Sequence, residues 1–282
     1  YTERYVRWCE REKYSILLKN FLYSIILNTR GDNMIIDSHC HLSHNDYENV
    51  EQVIKNMEGK IMIASGADAE SNKDVASLCK NYNNIYGVIG IHPTEITNNI
   101  EDDLKYIEEH INDKHIVGIG EIGLDYHYEC DKDLQKKIFI RQIRIAKKYN
   151  KPIVIHTRDA IKDTYDILES ESAYAVPIYI HCFSESLEMA RLFVKKGAKL
   201  GVGGIVTFKN AKKIVEVVEN IPLEHILLET DSPYLAPVPL RGTKNEPKNV
   251  YLVAQKIAEL KNIDIEEVIA ITTANSKAQF DL

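Results

Sequence analysis

Ile35-Ile36-Asp37-Ser38-His39-Cys40-His41 is an apolar, β-branched stretch that ends in two histidines at alternate positions. Side chains two residues apart on a strand leave the same face, so both imidazoles point to one side. This arrangement is typical of a metal site, although one buried and one solvated imidazole would give the same pattern. An open, doubly wound sheet usually carries a glycine-rich phosphate turn after its first strand. The two histidines occupy that place and disfavour such a sheet.

One pattern repeats from Met34 onwards: a short β-branched run, a turn and an amphipathic helix. The predicted strands cover residues 34–41, 60–65, 85–91, 115–121, 152–157, 177–182, 198–203 and 225–230. The predicted helices cover residues 50–57, 71–81, 102–111, 133–149, 160–169, 186–196, 211–218 and 249–260, and a helical pair at 265–271 and 273–280 is expected to cap the barrel. Eight strand–helix units predict a closed parallel TIM (β/α)8 barrel, and a doubly wound sheet is the alternative.

Length and composition favour one large α/β domain, since 282 residues with 44% hydrophobic content carry no Pro-, Gly- or Ser-rich linker. The formal net charge of -7 argues against broad electrostatic adhesion to nucleic acid or anionic lipid, so any phosphate contact must be local. The five cysteines are scattered and form no C-x-x-C pair. They predict neither a disulfide framework nor a thiolate zinc site, and they indicate a reducing, cytoplasmic compartment.

The first 33 residues differ in composition from the rest of the chain. Their apolar run, residues 21–27, is too short to span a bilayer, and no signal-peptide cleavage pattern follows it. We expect Met34 to be the native start, with residues 1–33 a non-native or upstream leader and residues 34–282 the barrel. The alternative is an N-terminal helix packed on the barrel. No membrane association is expected.

Side chains able to bind a metal fall at the carboxyl ends of the predicted strands. His39 and His41 end the first strand, His92 follows the third, and Glu121, His156, His181 and Asp231 end the fourth, fifth, sixth and eighth. In a barrel all these ends meet at one mouth. Nitrogen and oxygen donors without sulfur suit two divalent cations such as Mg, Mn, Zn or Ni. The predicted ligands are His39, His41 and Asp231 for the first ion and His156 and His181 for the second, with Glu121 bridging both.

Several motifs resemble those of the TatD-type metal-dependent DNase family, in the amidohydrolase superfamily. They are Asp-Ser-His-Cys-His-Leu (37–42), Gly-Ile-His-Pro (90–93), Gly-Glu-Ile-Gly-Leu-Asp-Tyr (120–126), His-Thr-Arg-Asp-Ala (156–160), His-Cys-Phe-Ser (181–184) and Glu-Thr-Asp-Ser-Pro-Tyr-Leu-Ala-Pro (229–237). The resemblance covers Met34 to the C-terminus and implies a TIM barrel, two or three divalent cations and hydrolysis of DNA phosphodiesters. It implies the same six ligands. Glu185 and Thr243 depart from the family pattern, where glycine and a basic residue are frequent, which affects the expected substrate contacts.

The ions would define the mechanism, because metal coordination lowers the pKa of water from about 15.7 towards about 7. We predict Asp231 as the proton acceptor and, with Glu121, as a catalytic residue. His92 and Arg158 are predicted to stabilise the extra negative charge on the phosphate. Arg241, in a Pro-rich loop over the mouth, is predicted to contact substrate.

Other residues near the predicted mouth have an alternative, structural role. Arg158 would either hold a phosphate or form an ion pair with Asp159. The aromatic patch at residues 126–128 would either stack a base or pack its own loop. Cys40 and Cys182 are predicted to point away from the metals into the core.

These features predict a deoxyribonuclease that acts on ends or single strands, because an acidic surface offers little grip on a duplex. DNA is the expected substrate, and no obligate protein partner is indicated. The same binuclear site could instead hydrolyse a carbon–nitrogen or carboxyl-ester bond, but several such enzymes use a carboxylated lysine where this chain offers Glu121. A non-catalytic metal-bearing scaffold is disfavoured because every ligand position is filled.

Overall fold

The computed structural model describes residues 34–282, so the predicted leader at 1–33 and the alternative helix there lie outside the described residues. Eight parallel strands form one sheet in chain order, which confirms the TIM barrel. The strands are β1 (Ile36–Cys40), β2 (Ile61–Ser65), β3 (Ile85–Ile89), β4 (Ile116–Asp125), β5 (Ile153–Arg158), β6 (Ile178–Ile180), β7 (Lys199–Val202) and β8 (Ile226–Leu228). Among the residues from 34 onwards, we find no helix with the length and apolarity to cross a bilayer.

Helices alternate with these strands, as the amphipathic spacing predicts, because one face of each packs on the sheet. They are α1 (Val50–Lys55), α2 (Ala69–Asn81), α3 (Ile100–His110), α4 (Lys132–Tyr149), α5 (Ile161–Ser170), α6 (Leu187–Lys195), α7 (Lys212–Asn220), α8 (Val250–Lys261) and α9 (Ile265–Phe280). The predicted C-terminal pair is wrong: α9 is one continuous helix. It contains no glycine or proline to break it, and the Thr272 hydroxyl donates to the Val268 carbonyl at 2.7 Å within the helix.

Hydrogen bonds join β1 to the segment that follows β8 and close the barrel. The backbone N–H and the hydroxyl of Thr230 donate to the buried Asp37 carboxylate at 2.9 and 2.6 Å. Just beyond them, the His41 N–H donates to the Ser232 carbonyl at 2.7 Å, and the Asp231 N–H donates to the His39 carbonyl at 3.0 Å. Two predicted ligand segments, with His41 and Asp231 190 residues apart in sequence, are thereby fixed side by side.

Two apolar layers hold the fold. The larger one fills the space between sheet and helices, and it includes Cys40, which is fully buried there as predicted. The smaller one lies inside the barrel at the amino end of the strands, with Ile36, Ile63, Val88, Val154, Tyr179, Leu227 and Phe280 as its buried members. Cys182 departs from the prediction, since it is partly exposed. It follows the last residue of β6 by two positions and has a φ of 46°, so strand alternation no longer sets its direction.

Candidate metal centre

The predicted ligands converge at the carboxyl mouth of the barrel. His39 lies in β1 and Glu121 in β4, whereas His181 directly follows β6. β4 extends to Asp125, four residues past the predicted end, and its register shifts between residues 119 and 122. Glu121 lies within that irregular segment and is 3% exposed.

Four donor atoms form the first group. The Nε2 atoms of His39 and His41 are 3.3 Å apart. Oδ1 of Asp231 lies 3.6 Å from each of them. Oε2 of Glu121 lies 3.3 Å from Nε2 of His39 and 3.7 Å from Nε2 of His41. His39, His41 and Asp231 are therefore brought together as predicted for the first ion.

The other oxygen of Glu121 faces the second group. Its Oε1 lies 2.7 Å from Nδ1 of His156 and 2.9 Å from Nε2 of His181. Nε2 of His92 lies 3.6 Å from the same oxygen. One carboxylate thus presents a different oxygen to each half of the cluster, which is the arrangement expected of a bridging ligand.

These separations suit divalent cations. Metal–ligand bonds of about 2.0–2.2 Å place tetrahedral donors about 3.4 Å apart. The first group, with separations of 3.3 to 3.7 Å, already has that spacing. The second group would have to open by about 0.5–0.7 Å to reach it. The cluster also meets the chemical requirement, because imidazoles and carboxylates without sulfur are the ligands of hydrolytic zinc, manganese and nickel sites.

Burial and the neighbouring charged groups shift the pKa values of these side chains in opposite directions. Burial alone would raise the pKa of Glu121, but the neighbouring His181 and His39 hold it well below its usual range. Burial would lower the pKa of His41, but its contact with the Asp231 carboxylate and the charge of Glu121 raise it to about 9. Burial alone would raise the pKa of Asp231, but its contact with His41 and the charges of His181 and His39 together lower it. Both carboxylates are therefore ionised and ready to accept a cation or a proton.

We predicted His92 as a substrate contact, but its ring also lies beside the predicted metal ligand Glu121. Burial lowers its pKa to about 4, so the imidazole is neutral. The Thr94 backbone N–H donates to Nδ1 of His92 at 3.2 Å, so Nδ1 is the acceptor nitrogen of the ring. In the neutral imidazole Nε2 then carries the proton, on the side of Glu121. His92, Glu121 and His156 form a third group able to hold a metal.

Two further carboxylates stand behind the ligand histidines, and the sequence analysis missed both. Oδ2 of Asp125 lies 3.1 Å from Nε2 of His156, the nitrogen opposite Glu121. Oε2 of Glu229 lies 3.6 Å from Nδ1 of His181 and also accepts a hydrogen bond from the Tyr179 hydroxyl. Outer carboxylates of this kind orient a ligand imidazole and raise its basicity. The sequence signal for Asp125 and Glu229 was the presence of a charged residue within an otherwise apolar strand segment.

The predicted rim residues lie around this centre. Arg158 ends β5 and is exposed. The alternative ion pair with Asp159 does not form in the described part of the chain, where Asp159 instead contacts Nδ1 of His127 at 3.2 Å. Arg241 is exposed, with its guanidinium 3.7 Å from the centre of the Phe208 ring. Neither arginine contacts the metal-ligand cluster.

The residues that depart from the family pattern also lie away from the six ligands. Glu185 lies 3.8 Å from the Lys213 ammonium. The Thr243 hydroxyl donates to the Leu240 carbonyl at 2.8 Å.

Comparison with known proteins assigns the family. The model of the TatD related DNase family matches residues 36–281. The chain belongs to the TatD family of metal-dependent hydrolases. The uncharacterized metal-dependent hydrolase YabD of Bacillus subtilis is 43% identical over 252 residues, which cover 88% of this chain and 99% of the relative. The YcfH protein of Escherichia coli, also described as an uncharacterized metal-dependent hydrolase, is 36% identical over 88% of this chain and 96% of its own length.

Solved structures of TatD proteins share the barrel. The crystal structure of YjjV, a TatD homologue from Escherichia coli, superposes with a TM-score of 0.80 at 27% identity and covers 88% of this chain and 98% of its own. A phosphotriesterase homology protein from the same organism has a TM-score of 0.63 at 16% identity, with 88% of this chain and 98% of its own covered, and shows the shared fold alone.

Proposed function

We propose that this TatD-family chain is a binuclear phosphodiesterase that cleaves DNA at ends or in single strands. The position of Glu121 carries the proposal. Its two carboxylate oxygens face two separate groups of donors, His39, His41 and Asp231 on one side and His156 and His181 on the other. A mononuclear hydrolase needs three protein ligands and an open position, so these donors would exceed its requirement.

Two divalent cations, Mg, Mn, Zn or Ni, would supply Lewis acidity and a water of lowered pKa when bound. Asp231 is the proposed proton acceptor. Its side chain is 14% exposed, in contrast to the fully buried His39, so water reaches it from the mouth. Its lowered pKa keeps it ionised, and proton acceptance requires the ionised form.

The remaining residues bind the phosphate rather than move protons. Arg158, at the exposed end of the strand that carries His156, and Arg241, on the loop after β8, are the proposed cationic contacts at the rim. His92 is also a proposed substrate contact, because its ring lies beside Glu121. Since the chain carries a net charge of -7, these few groups and the ions would supply the affinity for DNA.

Two observations weigh against the alternatives. Amidohydrolases with a carboxylated lysine place it between their ions, and in this chain Glu121 occupies that place. A scaffold without activity would not need Asp231 ionised and partly open to water beside two histidines. The four described cysteines are free thiols, which agrees with the proposed cytoplasmic location.

The test is hydrolysis of end-labelled single-stranded DNA, a dipeptide panel and an aminoacyl ester, each with Mg, Mn and Zn. We expect metal-dependent cleavage of DNA alone. Asp231→Asn, nearly isosteric but poorly basic, should lower turnover by about 100-fold or more at saturating metal. Cleavage of the dipeptides with intact DNA would replace the proposal by the carbon–nitrogen hydrolase, and wild-type turnover in Asp231→Asn would remove the proton-transfer role.

A further inference from the structure

Two tyrosine rings stand exposed at the mouth of the barrel. Tyr128 is 59% exposed and Tyr234 is 58% exposed, and the remaining exposed tyrosine of the described residues, Tyr251 in α8, is 49% exposed. Rings exposed to this degree leave much of their aromatic surface open to a ligand. Both follow carboxyl strand ends, Tyr128 three residues after β4 and Tyr234 three residues after Asp231.

The topology places these rings on opposite sides of the metal centre. The eight strands run in sequence order around the barrel, so β4 and β8 are four strands apart in either direction and face each other across it. Tyr128 follows β4 and Tyr234 follows β8. A chain that crosses the mouth through the centre would pass one ring before the ions and the other after them.

The backbone holds Tyr234 while its ring remains free. Its N–H donates to the Asp231 carbonyl at 2.9 Å, and its own carbonyl accepts from the Asn245 side-chain amide at 2.8 Å. Its ring lies 6.0 Å from the His41 ring, beside the first group of donors. Because the backbone is already held, only the side-chain torsions of Tyr234 lose freedom when a flat ligand stacks on its ring.

Tyr128 lies beside Arg158, which ends β5 two residues after His156. The Arg158 guanidinium lies 5.5 Å from the centre of its ring, and the His127 ring contacts it edge-on at 4.9 Å. The neighbouring Tyr126 differs, because its hydroxyl donates to Asp163 at 2.8 Å and the Lys132 ammonium lies 4.4 Å from its ring. Both rings have a cation nearby, but Tyr126 is half-buried and Tyr128 is exposed, so Tyr128 has the larger free aromatic surface.

We infer that Tyr128 and Tyr234 are stacking platforms that hold two unpaired bases, one on each side of the phosphodiester bond at the metal centre. The inference rests on the proposed DNA hydrolase. Aromatic faces bind every base and need no positive charge, which suits a chain of net charge -7. Bases in a duplex already stack on one another, so the platforms select single strands or frayed ends.

The experiment measures KM and kcat for a single-stranded oligonucleotide with Tyr128→Ala, Tyr234→Ala and the corresponding phenylalanine variants. Each alanine variant should raise KM about tenfold with kcat within about twofold, because one stacked base is lost. The phenylalanine variants keep the aromatic face and should retain the wild-type KM. Leu192→Ala, an exposed apolar residue of α6 that is 38% exposed, is the control.

A second measurement assigns each ring to one side of the cleaved bond. An oligonucleotide with a single abasic position next to that bond should raise the wild-type KM, and Tyr234→Ala should abolish this effect for one of the two abasic positions only. Tyr128→Ala should abolish it for the other. Alanine variants that match Leu192→Ala, in an enzyme that cleaves DNA, would overturn the platforms and leave the proposed function intact. A wild-type protein that cleaves no DNA would overturn the proposed function itself.

Discussion

The two ends of the barrel interior carry opposite chemistry, although the same strands build both. At the amino end, Val154 and Tyr179 belong to the apolar inner layer. Two residues further along the chain in each case, His156 and His181 belong to the candidate metal centre. The strand period of two keeps both residues of each pair on the inner face, so depth along the strand separates stability from chemistry.

The two layers also differ in how well their atoms are satisfied. The apolar inner layer gains stability from burial of its side chains, about 25 cal/mol for each Å² removed from water. The second layer, called the metal layer below, consists of the predicted ligands His39, His41, Glu121, His156, His181 and Asp231, and it crowds imidazoles and carboxylates together. Within it, Nδ1 of His39 and Nδ1 of His181 lack a hydrogen-bond partner in the described residues. Metal binding would stabilise such a layer, because the donor atoms that crowd one another, such as Nε2 of His39 and the oxygens of Glu121 and Asp231, would gain a common counter-charge.

Glu121→Ala is the sharpest test of whether the metal layer and the apolar inner layer have separate roles. Both ions would lose their bridge, so turnover should fall by about 1000-fold or more and bound metal should drop, as metal analysis of the dialysed protein would show. The apolar inner layer is untouched, so the variant should still unfold cooperatively. His39→Ala, which removes a donor from the first group alone, should weaken mainly one ion. Full metal content and activity in Glu121→Ala would disprove the binuclear assignment.

The converse substitution is Phe280→Ala at the end of α9. Phe280 is 2% exposed and its ring lies 6.1 Å from the Tyr179 ring, so its removal leaves a cavity in the apolar inner layer. The free energy of unfolding should fall by about 3 kcal/mol, read from denaturant titration, while metal content and kcat stay at wild-type values. Leu192→Ala should change stability by less than about 0.5 kcal/mol. Loss of metal from folded Phe280→Ala would show that the two layers are coupled.

Asp125→Asn tests the carboxylates behind the ligands. Its contact with His156 fixes which ring nitrogen faces Glu121, so the variant should bind metal about 10- to 100-fold more weakly while remaining folded. Asp113→Asn is a matched control, because it breaks a similar contact, 2.8 Å to Nδ1 of His110, outside the metal centre. Titration with Co²⁺, followed by its visible absorption, reports metal affinity without any substrate. Equal affinities in the two variants would remove the orienting role of Asp125.

How far the sequence predicts this molecule depends on whether barrel topology or side-chain packing brings the partners together. Periodicity and strand ends predict the eight strands and the convergence of His39, Glu121 and His181, because barrel topology brings all strand ends to one mouth. The contact of Glu229 with Tyr179, 50 residues away, depends on side-chain packing that no periodicity encodes. The end of β4 is also missed, since Gly123 adopts a φ of 149° and the register shifts before it.

Arg241 lies at the rim, outside both layers. Arg241→Ala should therefore have the smallest effect. The side chain is exposed and packs on Phe208, so it can meet a long substrate but contacts no predicted ligand. We expect KM for DNA to rise by about two- to fivefold, while hydrolysis of methyl p-nitrophenyl phosphate stays unchanged, because the small diester reaches the ions without touching the rim. Arg191→Ala removes the same charge from the exposed side of α6 and should leave both substrates unaffected. Equal losses on both substrates would place Arg241 in the metal layer or in folding, and an unchanged KM for DNA would remove it from the binding surface.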